Sequence, residues 1–319
     1  MLRSIRKVGL GCAGFGNVYG PRAFKSLEAV ISIAMKNNIK YFDTAPYYNS
    51  SEQIVGQLLS RYPREKYMLS TKVGRFAPND KKHPHGYFDF SKDSVIRSVM
   101  RSCHRLKTKY LDVVHCHDIE YADPQILLTE TLPTLAQLKK SGIIRNIGIS
   151  GYPLSAIRAI LYCSPTPIDF ATCYSHYTLQ NNLLQSFCWG KKRHDITLVN
   201  SGILGMGLLT EQGPQPWHPA SPKLKAAALK AANYCRTTEN IDIAEIATKY
   251  ALSATSDIAD IALIGAYTPD ELEQILKWEQ AQPDKKIVNN IQAIFNKANC
   301  KNKLWPPSPH HTPYHSWPN

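Results

Sequence analysis

The chain has 319 residues, 43% of them hydrophobic, and a formal net charge of +13. That length can bury one large core, and no apolar run approaches the roughly 18 residues of a membrane helix. The cationic excess comes in short groups such as Lys81-Lys82, Lys139-Lys140, Lys191-Lys192-Arg193 and Lys285-Lys286 with no interleaved aromatics, which is a solvated surface and not the clustered footprint of a nucleic-acid binder.

The first predicted strand, Lys7 to Gly11, runs into a glycine-rich stretch, VGLGCAGFGNVYG. Its spacing matches a dinucleotide fingerprint, but that motif needs a helix beginning inside it. Here the first helical periodicity is Leu27, Val30, Ile31 and Ala34, and Asp43 lies beyond the roughly 20 residues at which the fingerprint places its acid. Further strands are expected at Lys40 to Asp43, Tyr67 to Lys72, Leu111 to Cys116, Ile144 to Ile149, Ile168 to Ala171, Ile196 to Val199 and Ile261 to Ile264. Helical faces fall between them: Val95, Ile96, Val99, Cys103 and Leu106 form one, and Leu132, Leu135 and Leu138 another that ends near Gly142. Ser50 to Gln53 has the form of a capping box. Strands alternating with helices in this number predict an α/β fold, a (β/α)8 TIM barrel. Residues 1–304 would form a single domain, with an insertion at about 211–242 and a loop-like tail over 305–319. The tail histidines His310, His311 and His315 read as solvated.

In such a barrel the C-terminal strand ends carry function. Asp43 closes the second strand, Tyr48 follows it, Lys72 closes the third and His117 the fourth. An ammonium beside a phenol favours phenolate and would bring the tyrosine pKa down from about 10. The same residues read equally well as a structural ion pair and a core histidine. His115-Cys116-His117 sets two imidazoles on one face of a strand and could begin a zinc site; no matching Cys/His pair stands at another strand end, although Cys173 or His176 could contribute. The eight cysteines lack regular spacing, which suits buried thiols in a cytoplasmic protein.

FDTAPYYNSSEQIVGQLL, STKVGR, YLDVVHCHD and LKKSGIIRNIGIS together resemble the successive signatures of the aldo-keto reductase superfamily. HCHDIE, GLLTEQGPQPWHPASPKLK and the terminal LWP resemble its branch of L-galactose and D-arabinose dehydrogenases. The resemblance implies that Tyr48 transfers the proton, that Lys72 and Asp43 tune it, and that His117 orients the reacting oxygen. It implies NAD as coenzyme, a small sugar as substrate and no metal. Coenzyme contacts would come from Gly11, Cys12, Asp43, Ser150, Cys173, Ser201, Leu204, Gly265, Ala266 and Glu271. Gly151 stands where most members have asparagine, Cys173 where a glutamine binds the carboxamide, and Ser201 where many have a stacking aromatic. Gly265 and Glu271 occupy positions at which NADP-dependent members carry a lysine and an arginine. Arg75, Asp118 and Glu120 could contact sugar hydroxyls or form surface salt bridges.

Overall fold

The computed structural model describes residues 6–78, 83–187, 195–253, 255, 257–307 and 310–314. Eight parallel strands close into a barrel in chain order: β1 (Val8–Gly11), β2 (Tyr41–Asp43), β3 (Met68–Val73), β4 (Leu111–Cys116), β5 (Ile144–Gly151), β6 (Phe170–Tyr174), β7 (Thr197–Ser201) and β8 (Ile261–Ile264), with β8 pairing back to β1. The register sets Gly11 beside Asp43, Asp43 beside Ser70, and Lys72 beside His115. Strands β5, β6 and β7 run past their expected ends to Gly151, Tyr174 and Ser201. Ser150, Thr172 and Ser201 are polar and resemble loop in sequence, but here the barrel interior itself is polar.

That interior has two levels. Tyr41, Val113, Phe170, Val199, Ile261 and Leu263 form an apolar plug. On the next inward positions toward the C-terminal end stand Asp43, Ser70, Lys72, His115 and Thr172, all buried. The period-2 alternation sends the remaining strand residues, such as Leu10, Leu69, Val114, Ile149 and Ala171, outward into the core against the helices.

Helices α1 (Phe24–Lys36), α2 (Ser51–Leu59), α3 (Lys92–Arg105), α4 (Leu132–Lys140) and α5 (Leu154–Cys163) cover the first five strands. α1 buries Leu27, Val30, Ile31 and Ala34 as its periodicity requires, and since it starts at Phe24 no α-helix begins inside the glycine run, which holds only a short 3₁₀ turn, Ala13–Gly16. After β6 the described residues hold only a helical turn at 184–187. α6 (Pro222–Tyr234), α7 (Ile243–Ser253), α8 (Pro269–Trp278) and α9 (Lys285–Lys297) complete the outer layer. Leu224, Ala228 and Ala231 of α6, within 211–242, share a second apolar cluster with Ile291 and Phe295 of α9 and with Trp305.

The capping box expected at Ser50 does not form. Ser50 makes no side-chain cap, and it is Ser51 whose hydroxyl donates to the Cys12 carbonyl at 2.7 Å. A box is built instead at the start of α8, between Thr268 and Glu271. None of the described helices is long and apolar enough to cross a membrane.

Candidate active site

Three strand ends and one loop bring Asp43, Tyr48, Lys72 and His117 together at the C-terminal mouth. Lys72 Nζ donates to Asp43 Oδ2 at 2.5 Å and to the Thr44 carbonyl at 2.9 Å. The same ammonium lies 4.9 Å from the centre of the Tyr48 ring. Tyr48 is placed by a turn in which its N–H donates to the Ala45 carbonyl and its own carbonyl accepts from Ser51. The His117 ring meets Tyr48 edge-on at 5.7 Å between centroids. Among the described residues no group of His, Cys, Asp and Glu is arranged to hold a metal, and both nitrogens of His115 are bonded to the hydroxyls of Ser70 and Thr172.

The electrostatics modify the expected role of the lysine. Burial pushes the Tyr48 phenol up to about 12; Lys72 pulls it down, but Asp43 and Asp118 add to the rise. The lysine therefore limits the shift without reversing it, and the resting phenol is protonated. Burial opposes charge on Lys72 too, yet Asp43 and Tyr48 outweigh it and hold the ammonium above the usual lysine range. Burial brings His117 down to about 3, so its imidazole is neutral.

Arg75 and Asp118 stand near Tyr48 at the same mouth, and Glu120 lies behind them against Gly151. Arg75 forms an ion pair with Asp118 and lies over the Tyr47 ring, 3.7 Å from its centre. The salt-bridge reading of this pair is thus realised, but not at the open surface, because three buried polar atoms beside it have no partner: Arg75 Nε, His117 Nδ1 and Glu120 Oε2. The other Glu120 oxygen accepts from the Tyr152 N–H at 3.1 Å. Burial, and then Asp118, push the Glu120 carboxyl up to about 8, so it is a neutral acid at pH 7.

The coenzyme-side positions divide by strand parity. Ser150 and Ser201 point inward at the rim, and their hydroxyls make only long bonds, to the Cys116 and Cys173 carbonyls at 3.2 and 3.4 Å. Gly11 leaves the end of β1 open, with the nearest atom to an added Cβ, the Ile264 carbonyl oxygen, at 3.4 Å. Cys12, Cys173 and Ala266 are fully buried. Cys173 lies with Ala171 in the helix-facing core, so the expectation that it contacts a carboxamide is corrected: Thr172 occupies the inward position next to it. Leu204 is partly buried between the two outer apolar clusters. Gly265 is exposed, and a Cβ there would stand 2.6 Å from the Tyr267 hydroxyl. Glu271 is committed to its helix cap, with Oε2 accepting from Tyr267 N at 2.7 Å and Thr268 N at 3.2 Å. Inward hydroxyls on β5 and β7 suit an uncharged amide such as the nicotinamide carboxamide, and no cation stands at 265 or 271.

Sequence reasoning missed the aromatic wall. Tyr19 stacks with Tyr267 and tilts against Trp217, each at 6.0 Å, and Tyr174 bonds to Tyr19. The tail also differs from a solvated loop. Trp305 stacks on Tyr152 at 5.0 Å, His311 packs on Phe88 at 5.1 Å, His310 stacks on His85 at 3.6 Å, and Tyr314 N donates to the Glu120 carbonyl at 2.8 Å. His315 lies outside the described residues. Only the aromatic content of these segments hinted at such packing.

Residues 7–296 match the model of the aldo/keto reductase family. The chain is 34% identical over 315 residues to the L-galactose dehydrogenase of Arabidopsis thaliana, covering 96% of this chain and 95% of that protein. It is 39% identical over 263 residues to the D-arabinose 1-dehydrogenase of Saccharomyces cerevisiae, covering 78% and 75%. Among solved structures, an aldo-keto reductase from Bacillus halodurans superimposes with a TM-score of 0.72 at 23% identity over 96% of this chain and 95% of that one, a likeness of fold. With its closed parallel barrel and a Tyr-Lys-Asp-His cluster at the mouth, the chain belongs to the aldo/keto reductase family.

Proposed function

We propose that the protein is an NAD-dependent aldose 1-dehydrogenase, which oxidises the anomeric carbon of a cyclic sugar of the L-galactose, L-fucose or D-arabinose type to the aldonolactone. The observation that carries this reading is the convergence of Tyr48, Lys72, Asp43 and His117 at the barrel mouth, with the Arg75–Asp118 ion pair beside them. A nicotinamide coenzyme, when bound, supplies the acceptor for the hydride leaving C1. Ser150 and Ser201 would hold its carboxamide end. Tyr48, as phenolate, takes the C1 hydroxyl proton, with Lys72 stabilising the charge that the phenol must develop. His117, neutral and with Nδ1 unpartnered, orients the C1 oxygen without placing a cation beside Lys72. Arg75 and Asp118, with Glu120 behind them, are the polar groups assigned to the ring hydroxyls.

Both relatives named above act on aldoses, which supports the substrate class. A site built of fixed donors and acceptors rejects an epimer because its buried polar groups are left unpaired, a penalty that reaches about 10⁴-fold in kcat/KM. L-Galactose, L-fucose and D-arabinose share their configuration at C2, C3 and C4, so all three should be turned over with NAD while D-galactose is not. Comparable rates with D-galactose or D-glucose would refute the reading in favour of a general carbonyl reductase.

A further inference from the structure

His115 is buried in the barrel interior and is not part of the mouth cluster. Its ring fits only because position 148 is glycine: a Cβ there would lie 2.4 Å from the imidazole. It stands in a row of four polar groups that ends at Asp43 of the site. Thr172 Oγ1 lies 3.0 Å from His115 Nε2, His115 Nδ1 lies 3.3 Å from Ser70 Oγ, and Ser70 Oγ donates to Asp43 Oδ1 at 2.7 Å.

Counting protons fixes the direction of this chain. A carboxylate only accepts, so Asp43 takes the single Ser70 proton on Oδ1 while Lys72 donates to Oδ2. Ser70 then has only lone pairs to offer His115, so Nδ1 must carry the imidazole proton. Nε2 is left as acceptor and receives the Thr172 hydroxyl. Every proton in the row points toward Asp43. Burial brings His115 down to about 4, which keeps it in a neutral form able to both donate and accept.

We propose that His115 is a positioning residue: through Ser70 it fixes Asp43 with one oxygen satisfied from inside the barrel and the other turned to Lys72, and thereby sets the proton affinity of Tyr48. The row costs the barrel an apolar interior, which a Leu or Val at 115 would otherwise complete above Phe170. Other groups face it as well. The Thr71 backbone faces His115, Cys12 flanks Asp43, the buried Tyr41 hydroxyl lies beside both Asp43 and the Ser70 hydroxyl, and Asp118 and Tyr19 face Tyr48. Arg75 and His117 lie beyond Lys72 and Asp118. None of these occupies Asp43 Oδ1. Losing the Ser70 donor leaves the Asp43 charge less dispersed, and since Asp43 raises the Tyr48 pKa, Tyr48 should hold its proton more tightly.

This inference rests on the reading of Tyr48 as the proton-transfer group, and the test separates the two. In the full-length protein, ¹⁵N-imidazole NMR from pH 5 to 8 should show His115 as the Nδ1–H tautomer, and an Nε2–H tautomer would overturn the relay. The pH at which kcat/KM for L-galactose oxidation levels off should move up by about half a unit in Ser70→Ala. It should move less, in the same direction, in His115→Leu, and return toward the parent value in His115→Asn, whose amide can donate to Ser70. Profiles unmoved in Ser70→Ala and His115→Leu, with only the melting temperature lowered, would overturn the proposal and leave a packing role. Tyr48→Phe is run alongside. If it is inactive while the profiles stay unmoved, the relay alone fails; if it keeps its turnover, the reading beneath the relay fails as well.

Discussion

The two halves of the barrel mouth are built on different principles. On the β2 to β4 side, Asp43, Lys72, Asp118 and Arg75 are charged, largely buried and joined in two ion pairs, Lys72–Asp43 and Arg75–Asp118. On the β5 to β8 side the inward groups are the hydroxyls of Ser150 and Ser201, with glycine at 265 and aromatic rings around them. The charged half can stabilise a developing phenolate, because buried ions interact strongly and are already desolvated. The uncharged half can hold a flat amide and a sugar-phosphate chain; neither position 265 nor 271 carries a cation for an additional phosphate, and the cation near them is Arg22, 5.4 Å from the centre of the Tyr267 ring. Proton chemistry and coenzyme choice are therefore separable, and substitutions can disrupt one without the other.

The largest separation is expected at Tyr48. Tyr48→Phe should lower kcat by about 100-fold or more while leaving NAD affinity unchanged, since it removes a group used only in the transition state. Measured by single turnover and by coenzyme fluorescence quenching, a parallel loss of NAD binding would show that the two halves are not independent.

Coenzyme choice is the converse case. NAD should be preferred over NADP by about 100-fold in kcat/KM, or roughly 2.7 kcal/mol. The carboxylate of Glu271 repels a phosphate, but the capping box changes what a swap can achieve. Glu271→Arg should narrow the preference while also removing the cap, at a cost of about 1 kcal/mol in thermal unfolding. Gly265→Lys must displace the Tyr267 hydroxyl and should gain less than a lysine on open surface. Equal kcat/KM for both coenzymes in the parent protein would remove the uncharged half from the explanation.

The pH dependence should follow the charged half. With the resting phenol protonated and held up near 12, oxidation needs the minority phenolate, so kcat/KM should rise with pH by up to about tenfold per unit from neutrality upward. Lys72→Met should lower the whole profile. A flat profile over pH 7 to 9 would mean that Tyr48 is not the rate-determining proton acceptor.

A further effect concerns stability. The Glu120 carboxyl is raised from 4.5 to about 8, so between those values the folded state binds a proton that the unfolded state has lost. Its contribution is complete below pH 4.5 and is lost as pH rises through 8. Glu120→Gln should flatten this part of the stability curve, as read from urea midpoints at pH 5 and pH 8. An unchanged slope would mean that Glu120 is ionised in the native state.

Much of this was legible in the sequence. The eight strands, α1 and the tetrad could be placed because period-2 and period-3.6 patterns report which side of an element is buried. The ends of β5, β6 and β7 could not, because inward hydroxyls imitate loop polarity when the partner groups are out of view. Cys173 was displaced by one position for the same reason: strand parity becomes certain only once the register is known, and a one-residue slip exchanges the two faces. The Thr268 to Glu271 box is spelled T-x-x-E, but the charge of Glu271 hides its capping role, while Ser50 to Gln53 has the form of a cap that the chain does not use. The tail gave no periodic signal at all. Its order comes from stacking on Tyr152, Phe88 and His85, all of them more than 150 residues away in sequence.

The most direct test follows the label in C1-deuterated L-galactose. Incubated with NAD, the protein should transfer deuterium to the reduced coenzyme and release the unlabelled aldonolactone, with a primary isotope effect on single turnover and no transfer in Tyr48→Phe. Deuterium retained in the sugar after prolonged incubation, by a protein shown to bind NAD, would contradict oxidation at the anomeric carbon.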